Sequence, residues 1–397
     1  MAIPEDVLVQ ILLWLPVVSL LRFKCVSKSW YALITHQNFT EKHLLRNLST
    51  PNNNNNNNTA RFLAHRRDKT TGDYVVSSLS YEPLQVLPST QQPLPPPYSG
   101  IDKKVEVFVV GSCNGVVCLY DNYDLNIVLW NPATKETKVV PKSTLPRFPA
   151  FFQASTNGIG FGFDARTNDY KIIKLLCLSD PDPKLSYFQI DFIDQNEIYS
   201  LSTNSWRKVD NPPCIIFDGF KGMKAYTNGI ASWWGLCGWE SILSFDMSSE
   251  AFLATPLPNE RIIGRKSENW REFFVMNEKV ALAVGVLNED QLEIGFDVWL
   301  LNEYGVKESW AKLFTLGPFT GIRKPLGFWK NEIALFLESS GGRLVVYDSS
   351  TKEMVDLQID GEPLSLQVIT YMETLVSVKG GNQEMGFEKQ DTLTWMP

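Results

Sequence analysis

The chain has 397 residues, of which 44% are apolar and 20% are charged, a balance typical of a globular protein with a sizeable core. The net charge of -7 argues against nucleic acid as a partner, because holding a phosphate backbone requires clustered lysine and arginine. No apolar run reaches the roughly 20 residues that span a bilayer, and the N-terminus lacks the pattern of a secretory signal. We therefore expect no membrane partner, a cytoplasmic and/or nuclear location, and reduced cysteines.

Residues 1–48 predict a series of short helices. Pro4 suits the start of a helix, where its missing N–H is not needed, and apolar residues then recur every three or four positions as far as Leu15. Pro16 ends this helix, a second one follows, and Ser27 is placed to cap a third. A further helical piece, "TEKHLLRNL", comes next. Three such helices bury too little surface to use all these apolar residues, so the surplus either packs beneath a larger domain or binds another protein.

The stretch "IPEDVLVQILLWLPVVSLLRFKCVSKSWYALI" resembles an F-box in the form that plant F-box proteins use. That family typically reads L-P-x-D, then I-L-x-R-L-P, then S-L-x-R-F-x-x-V-x-K-x-W. The resemblance implies docking onto a Skp-type adaptor, which connects the protein to the cullin of a ubiquitin ligase. Carried over to this sequence, the docking residues are Pro4, Leu8, Ile11, Leu12, Leu15, Pro16, Leu20, Leu21, Phe23, Val26 and Trp30.

Two positions of this motif depart from the family pattern. Trp14 stands where arginine is usual, and Val18 stands where lysine or another polar residue is common. Both add apolar surface, so either the adaptor covers them or they pack against the second domain.

The remainder of the chain divides by composition. Residues 49–60 include "PNNNNNNN" and predict a polar, asparagine-rich linker. Residues 61–380 are rich in β-branched and aromatic residues interrupted by turns, and residues 381–397 form a C-terminal tail.

The domain at residues 61–380 is built from repeats. Each repeat has a tight turn with asparagine, often Asn-Gly, then an apolar strand, a strand with an aromatic residue, and a polar turn. A four-stranded propeller blade needs about 40–50 residues, and most of the repeats recur at intervals close to that length. "RFLAHRR" near the start and "LSLQVITYMETLVSV" near the end predict strands that join and close a ring, the latter as two strands. We predict about six blades, although five, seven or eight also fit. The aromatic anchors are Trp130, Tyr199, Phe245, Trp299 and Tyr347.

Several of these segments resemble a second known domain. "GSCNGVVCL", "LWNPATKE", "GFGFDARTNDYKIIKL" and "YSLSTNSWRKV" are similar to the F-box-associated domain of plant F-box proteins, which is kelch-like. The S-locus F-box proteins of pollen, which recognise pistil ribonucleases, share this architecture. The predicted fold class is therefore α+β and multidomain, with a small three-helix F-box followed by an all-β, kelch-like propeller.

The sequence offers little for catalysis or metal binding. The three histidines, at positions 36, 43 and 65, are far from Cys113 and Cys118, whereas a zinc site needs four ligands at suitable spacing. The glycines of "NGIGFGFD", at positions 158, 160 and 162, have no following helix and predict close strand packing near a propeller axis instead of a nucleotide loop. We predict no catalytic residue, no metal and no cofactor.

Two irregular segments between the repeated strands are candidates for target binding. Residues 143–156 carry Phe148, Phe151 and Phe152, which either fold over a blade or contact a partner. Residues 179–196 carry an acidic set that favours a basic partner, namely Asp180, Asp182, Asp191 and Asp194.

Together these features predict the substrate-recognition subunit of a Skp–cullin–F-box ubiquitin ligase, which is not itself an enzyme. One alternative is an F-box protein that acts as a scaffold or inhibitor without degradation of a target. Another is a propeller enzyme such as a sialidase or an oxidase, which would need converging charged or metal-binding groups at the axis.

Overall fold

The computed structural model describes residues 4–49, 60–80, 84–85, 87, 91–100, 102, 104–147, 153–179, 192–212, 225–236, 240–258, 271–287, 293–329 and 334–379. These residues form an N-terminal helical unit (residues 4–49) and a six-bladed β-propeller. The predicted fold class is confirmed.

The helical unit contains four short helices. Pro4 and Pro16 occupy the N-cap positions of the first two helices, where the missing N–H of proline leaves no bond unmade. The hydroxyl of Ser27 accepts a 3.2 Å hydrogen bond from the Trp30 N–H and caps the third helix, as the sequence predicts. The helices are α1 (Glu5–Leu13), α2 (Val17–Phe23), α3 (Lys28–Thr35) and α4 (Gln37–Ser49).

The first two blades are antiparallel sheets of four strands each. Blade 1 combines both ends of the propeller domain, because its innermost strand comes from the C-terminal side of the chain. From the axis outward, blade 1 contains β25 (Gln367–Met372), β1 (Ala60–Arg67), β2 (Tyr74–Ser80) and β3 (Gln92–Pro93), and blade 2 contains β4 (Val107–Cys113), β5 (Val116–Asp121), β6 (Ile127–Asn131) and β7 (Glu136–Val139).

The next two blades continue the ring in chain order. Blade 3 differs from the others in a fifth, short strand, β10, which pairs with the end of β9. Blade 3 contains β8 (Gln153–Asp164), β9 (Asp169–Ser179), β10 (Phe192–Asp194), β11 (Asn196–Ser200) and β12 (Ser205–Val209), and blade 4 contains β13 (Ala225–Thr227), β14 (Ile230–Leu236), β15 (Glu240–Asp246) and β16 (Phe252–Pro256).

The last two blades have the longest outer strands. A 3₁₀ helix, Lys307–Ser309, precedes the outer strand of blade 5. Blade 5 contains β17 (Arg271–Met276), β18 (Lys279–Leu287), β19 (Glu293–Leu301) and β20 (Trp310–Thr320), and blade 6 contains β21 (Ile322–Trp329), β22 (Ala334–Ser339), β23 (Arg343–Asp348) and β24 (Glu353–Asp360).

The ring is closed. Neighbouring blades contact each other around the circle, mostly through their innermost strands; blades 3 and 4 meet through β8 and β14, and β21 of blade 6 contacts β25 of blade 1. β25 also pairs with β1 along its length, with Ala60 opposite Met372 and His65 opposite Gln367. The predicted closure is confirmed, but the prediction of two final strands is wrong. One strand forms, and residues 373–379, here called the C-terminal segment, follow it without strand pairing because their polar groups bond to blade 2.

The five predicted aromatic anchors occupy equivalent places. Each lies in the third strand of its blade, which explains their regular recurrence in the sequence. Trp130, Tyr199 and Phe245 are buried, whereas Trp299 and Tyr347 are half-buried.

Two kinds of tight turn repeat around the ring. Asn114-Gly115 and Asn228-Gly229 join the first two strands of blades 2 and 4, and all four residues have positive φ, as this hairpin turn requires. The other kind begins with an Asp or Asn side chain that accepts backbone N–H groups two and three residues ahead, and a residue of positive φ stands four positions after it. The pairs are Asn131 and Lys135, Asp164 and Asn168, Asp246 and Glu250, and Asp348 and Lys352.

The faces of the blades are covered by their neighbours. Trp233 of blade 4 is fully buried and lies against β8 of blade 3, where a side chain at Gly160 would collide with the indole and one at Gly158 would make a tight contact with it. On the opposite face of blade 4, the Trp234 ring packs edge-on against Phe273 of blade 5, with 4.9 Å between centroids. The glycines therefore permit close strand approach, as the sequence predicts.

Candidate functional site: two protein-binding surfaces

The helical unit lies on one face of the propeller, here called the near face. Asn168, in the turn from β8 to β9, donates a 2.9 Å hydrogen bond from Nδ2 to Glu41 Oε1 of α4. Ala133, in the turn from β6 to β7, packs with the apolar residues of the helices. Because successive strands alternate in direction, turns between first and second strands, and between third and fourth strands, share this face.

One set of apolar side chains in the helical unit is directed inward. Leu12, Leu13, Val17, Leu20 and Ile34 are buried and form one cluster with Phe39 of α4 and Leu375 of the C-terminal segment. A second set is directed outward, with between 45% and 62% of each residue exposed: Val7, Ile11, Val18, Val26 and Tyr31. Exposed apolar side chains grouped on one small unit are typical of a protein-binding surface. We call this second set the exposed stripe.

The structure separates the predicted docking residues by exposure. Pro4, Ile11 and Val26 are exposed, and most of the remainder are half-buried: Leu8, Leu15, Pro16, Leu21, Phe23 and Trp30. Leu12 and Leu20 have relative exposures of 1% and 0%, so their placement on the docking surface needs correction. Both belong to the core of the helical unit, where a partner cannot reach them while the helices remain packed.

Sequence reasoning left Val7 and Tyr31 out of the docking set. Val7, Ile11 and Trp14 form a second apolar line on α1, one residue out of phase with the line of Leu8, Leu12 and Leu15. Two apolar lines on one helix indicate that two of its sides bury apolar surface, one in the core of the unit and one against a partner. This pattern could have identified the partner-facing side from the sequence.

Trp14 and Val18, the two departures from the family motif, are both exposed, at 59% and 47%. The guanidinium carbon of Arg46 lies 3.5 Å from the centroid of the Trp14 ring, a cation–π contact within the helical unit. Arg46 also donates to the carbonyl of Leu13, and His43 Nε2 donates to the carbonyl of Leu15 at 3.1 Å. These bonds satisfy carbonyls at and just after the end of α1, which helix termini leave without partners.

The second surface is the propeller face opposite the helical unit, here called the far face. Connections between second and third strands, and from each blade to the next, begin and end there because strand direction alternates. The described residues at the start of the first segment follow β7, and those at the end of the second precede β11, so these described ends lie at this face.

The described parts of these two segments contact each other. Gln195 Nε2 donates a 3.0 Å hydrogen bond to the carbonyl of Pro146. The Trp206 indole N–H donates to the carbonyl of Pro141 at 2.6 Å. The structure thus brings the two segments together at the junction of blades 2 and 3.

Most predicted target-binding residues fall outside the described residues. Asp194 is the exception, since it lies in β10, opposite Cys177 of β9. The others are Phe148, Phe151, Phe152, Asp180, Asp182 and Asp191.

Basic side chains surround this junction. Burial lowers the pKa of Lys174, the neighbouring Arg147 and Lys142 lower it further, and Glu197 opposes them. The Lys174 ammonium also lies 5.8 Å from the centroid of the Trp206 ring. Arg147 belongs to the first segment and Lys142 directly precedes it, so the described start of that segment is basic.

The described residues show no arrangement suited to metal chemistry. No three His, Cys, Asp or Glu side chains converge among them. Cys113 and Cys118 are free thiols, and burial raises both pKa values, that of Cys113 to about 12. At neutral pH such thiols are protonated and therefore weak nucleophiles. Within the same residues, no helix combines the length and apolar character needed to cross a membrane.

Comparison with known proteins assigns both parts of the chain. The F-box domain family model matches residues 2–42, and the F-box associated beta propeller domain model matches residues 70–378.

Curated relatives come from Arabidopsis thaliana. F-box protein CPR1 is 26% identical over 98% of this chain and 92% of its own length. F-box/kelch-repeat protein At3g23880 is 28% identical, covering 88% of each chain. Among solved structures, a chain of the nidogen/laminin complex shares 10% identity over 79% of this chain and 99% of its own, with a TM-score of 0.38, which is too low to carry an argument. The protein therefore belongs to the F-box associated beta propeller family and carries an F-box at its N-terminus.

Proposed function

We propose that this chain is the substrate-recognition subunit of a Skp–cullin–F-box ubiquitin ligase, acting in the cytoplasm and/or nucleus. The observation that carries the proposal is the exposed stripe of the F-box, which is accessible in the complete chain. In the free protein this apolar surface faces water, and a partner that covers it gains the free energy of burying it.

The F-box would bind a Skp-type adaptor and, through it, a cullin. The contacts we propose use the exposed and half-buried docking residues together with the exposed stripe. Leu12 and Leu20 would support this surface from beneath. The proposed docking residues are Pro4, Leu8, Ile11, Leu15, Pro16, Leu21, Phe23, Val26 and Trp30.

The far face of the propeller would hold the target protein. Its long connections can vary without disturbing the blades, which is the usual place for specificity on a rigid scaffold. We propose Phe148, Phe151 and Phe152 as apolar anchors, since aromatic residues are enriched at binding hot spots. The second segment carries four acidic residues that would favour a basic partner, a class that includes secreted ribonucleases. They are Asp180, Asp182, Asp191 and Asp194.

The chain itself would perform no chemistry. By holding a target beside the ubiquitin-charged enzyme of the complex, it would make ubiquitin transfer effectively intramolecular, which raises the local concentration of the acceptor lysine.

Adaptor binding tests the first half of the proposal. We expect Val26→Asp to weaken binding of the full chain to a purified Skp-type adaptor at least tenfold, because a charge at an interface anchor commonly costs about 2 kcal/mol or more. Val355→Asp is the matched control, since Val355 is a similarly exposed valine on the outer strand of blade 6. Equal affinity for both variants would rule out this use of the F-box.

Target capture tests the second half. Proteins that accumulate with the tagged chain under proteasome inhibition should be lost when Phe148 and Phe151 are both changed to serine, while adaptor binding persists. Bound proteins that are insensitive to the inhibitor and receive no ubiquitin in a reconstituted ligase would indicate a scaffold instead.

A further inference from the structure

The C-terminal segment contributes side chains to both units of the molecule. Leu375 is 5% exposed and belongs to the apolar cluster of the F-box helices. The next residue, Val376, and Val378 belong to the core cluster shared by blades 2, 3 and 4. Adjacent residues of one segment thus complete two different cores.

The backbone of the C-terminal segment is held against blade 2. Asn131, which is fully buried, donates from Nδ2 to the carbonyls of Thr374 at 3.1 Å and Val376 at 2.8 Å. The Glu136 carboxylate accepts from the Ser377 hydroxyl at 2.7 Å and the Val378 N–H at 3.2 Å. These bonds fix the direction in which Leu375 projects.

Other contacts join the F-box to the same region of the near face. Leu44 of α4 packs against the core cluster of blades 2, 3 and 4, and Asn168 donates to Glu41. Lys24, at the end of α2, has its pKa lowered by burial, and the charge of Glu136 opposes this shift. Two parts of the helical unit, α4 and the end of α2, therefore meet this region of the propeller.

We propose that the C-terminal segment fixes the F-box in a single orientation on the near face, so that closure of the propeller ring and seating of the F-box depend on the same residues. Leu375 is the positioning residue. Residues 373–379 directly follow β25, the strand that closes the ring by pairing with β1, so the position of Leu375 is tied to ring closure.

This proposal is independent of which partner the F-box binds. It has a consequence for geometry, because a seated F-box keeps the exposed stripe at a constant distance from the far face. The stripe remains accessible in this arrangement, since its exposure is that of the complete chain.

Hydrogen exchange of the full chain tests the role of Leu375. We expect Leu375→Ser to speed amide exchange in α1, α2 and α3 by about tenfold or more, because local opening would become easier. Strands β18 and β19 of blade 5 should exchange as in the parent. Leu364→Ser is the matched control, because it removes another leucine of the C-terminal region that is 40% exposed and lies on the far face. Leu375→Met should restore slow exchange. Parent-like exchange of the three helices in Leu375→Ser would overturn the proposal.

A cross-link provides a second measurement that does not depend on the stability of Leu375→Ser alone. Asn168 has a φ of 55°, and lysine already occupies the equivalent turn positions 135 and 352 with φ of 62° and 61°, so Asn168→Lys fits the backbone. A water-soluble carbodiimide should then join the introduced amine to Glu41, and Glu41→Gln should abolish the product. We expect the yield to fall at least about fivefold when Leu375→Ser is added, whereas Leu364→Ser leaves it unchanged. No cross-link, or the same yield with Leu375→Ser, would contradict seating by the C-terminal segment.

Discussion

A propeller blade and the F-box both carry apolar side chains on two sides, but only the blade has both sides covered. In blade 4, Trp233 packs against the glycine strand of blade 3, and Trp234 packs against Phe273 of blade 5. In the F-box, Leu20 packs inward with Leu375, whereas Val18 faces solvent. The same density of apolar residues therefore has two meanings, and the presence or absence of a covering neighbour distinguishes core from binding surface.

The largest effect is expected for a substitution on the buried face of a blade. Trp233→Ala should lower the free energy of unfolding by about 3–5 kcal/mol, because it leaves a cavity between blades 3 and 4. It also removes the 3.1 Å hydrogen bond from the indole N–H to the carbonyl of Ile159. Trp14→Ala in the F-box should lower it by about 1 kcal/mol or less, since Trp14 is 59% exposed and a cation–π contact such as that with Arg46 is weak at an exposed site. Similar losses in chemical denaturation would show that exposure does not distinguish the two regions.

A smaller effect is expected when a turn that the C-terminal segment covers is compared with an exposed turn. Asn131→Ala should lower the free energy of unfolding by about 2–3 kcal/mol, because the buried carbonyls of Thr374 and Val376 would lose their donor. Asn302→Ala is the matched control. Asn131 is the last residue of the third strand of blade 2, and Asn302 directly follows the third strand of blade 5, but Asn302 is exposed. For Asn302→Ala we expect the free energy of unfolding to fall by about 1 kcal/mol or less in the same denaturation assay. A larger loss would show that the turn itself contributes the stability and that the contact with the C-terminal segment does not.

Covering a blade face also covers charges, which predicts a response to pH. Lys171 binds Asp164 at 2.6 Å and Glu250 at 2.8 Å between the turns of blades 3 and 4. Burial alone would raise the pKa of Asp164, but hydrogen bonds from Lys171, Thr167 and Ser248 hold that pKa below its usual range.

A carboxylate whose pKa is depressed in the folded state stabilises the protein above its unfolded pKa of about 4, and this stabilisation is lost as the pH falls further. Between pH 7 and pH 3 we therefore expect Asp164 to account for about 1–2 kcal/mol of the decline in stability. Asp164→Asn should be less stable at pH 7 and show a flatter decline, measured by urea midpoints at both pH values. An unchanged slope would mean that the ion pair contributes nothing to acid sensitivity.

The smallest effect is expected for a substitution in the exposed stripe of the F-box. Ile11→Ser should change the free energy of unfolding by only about 0.5 kcal/mol, because Ile11 is 48% exposed. Thermal melting of the full chain measures this change. A loss above about 1 kcal/mol would show that the exposed stripe supports the fold and is not reserved for a partner.

The residues that follow local rules were predicted well. Pro4, Pro16 and Ser27 mark helix boundaries because each acts on the backbone beside it. The Asn-Gly turns and the aromatic anchors recur with the blades because turn conformation and strand alternation are properties of a few consecutive residues. Even ring closure followed from unpaired strands at both ends of the repeats.

Contacts between distant residues were not available from such rules. Leu12 and Leu20 match the docking motif as well as Ile11 does, yet the structure places them in the core with Leu375, a residue more than 350 positions away. The contact of Gln195 with the carbonyl of Pro146 likewise joins two segments that the sequence separates by an entire strand pair.

The sequence by itself determined the helices, the blade repeats, their turns and the membership of the family, because these depend on spacing within short windows. Tertiary structure alone decided which side of the F-box is covered, since Leu375 packs with the helices from a position just beyond β25, which pairs with β1. It also brought the described ends of both irregular segments to the far face, because alternating strand direction assigns each connection to one side of the ring. The burial of a side chain and the position of a strand end both depend on contacts between distant residues. Such contacts exist only when the ring is assembled.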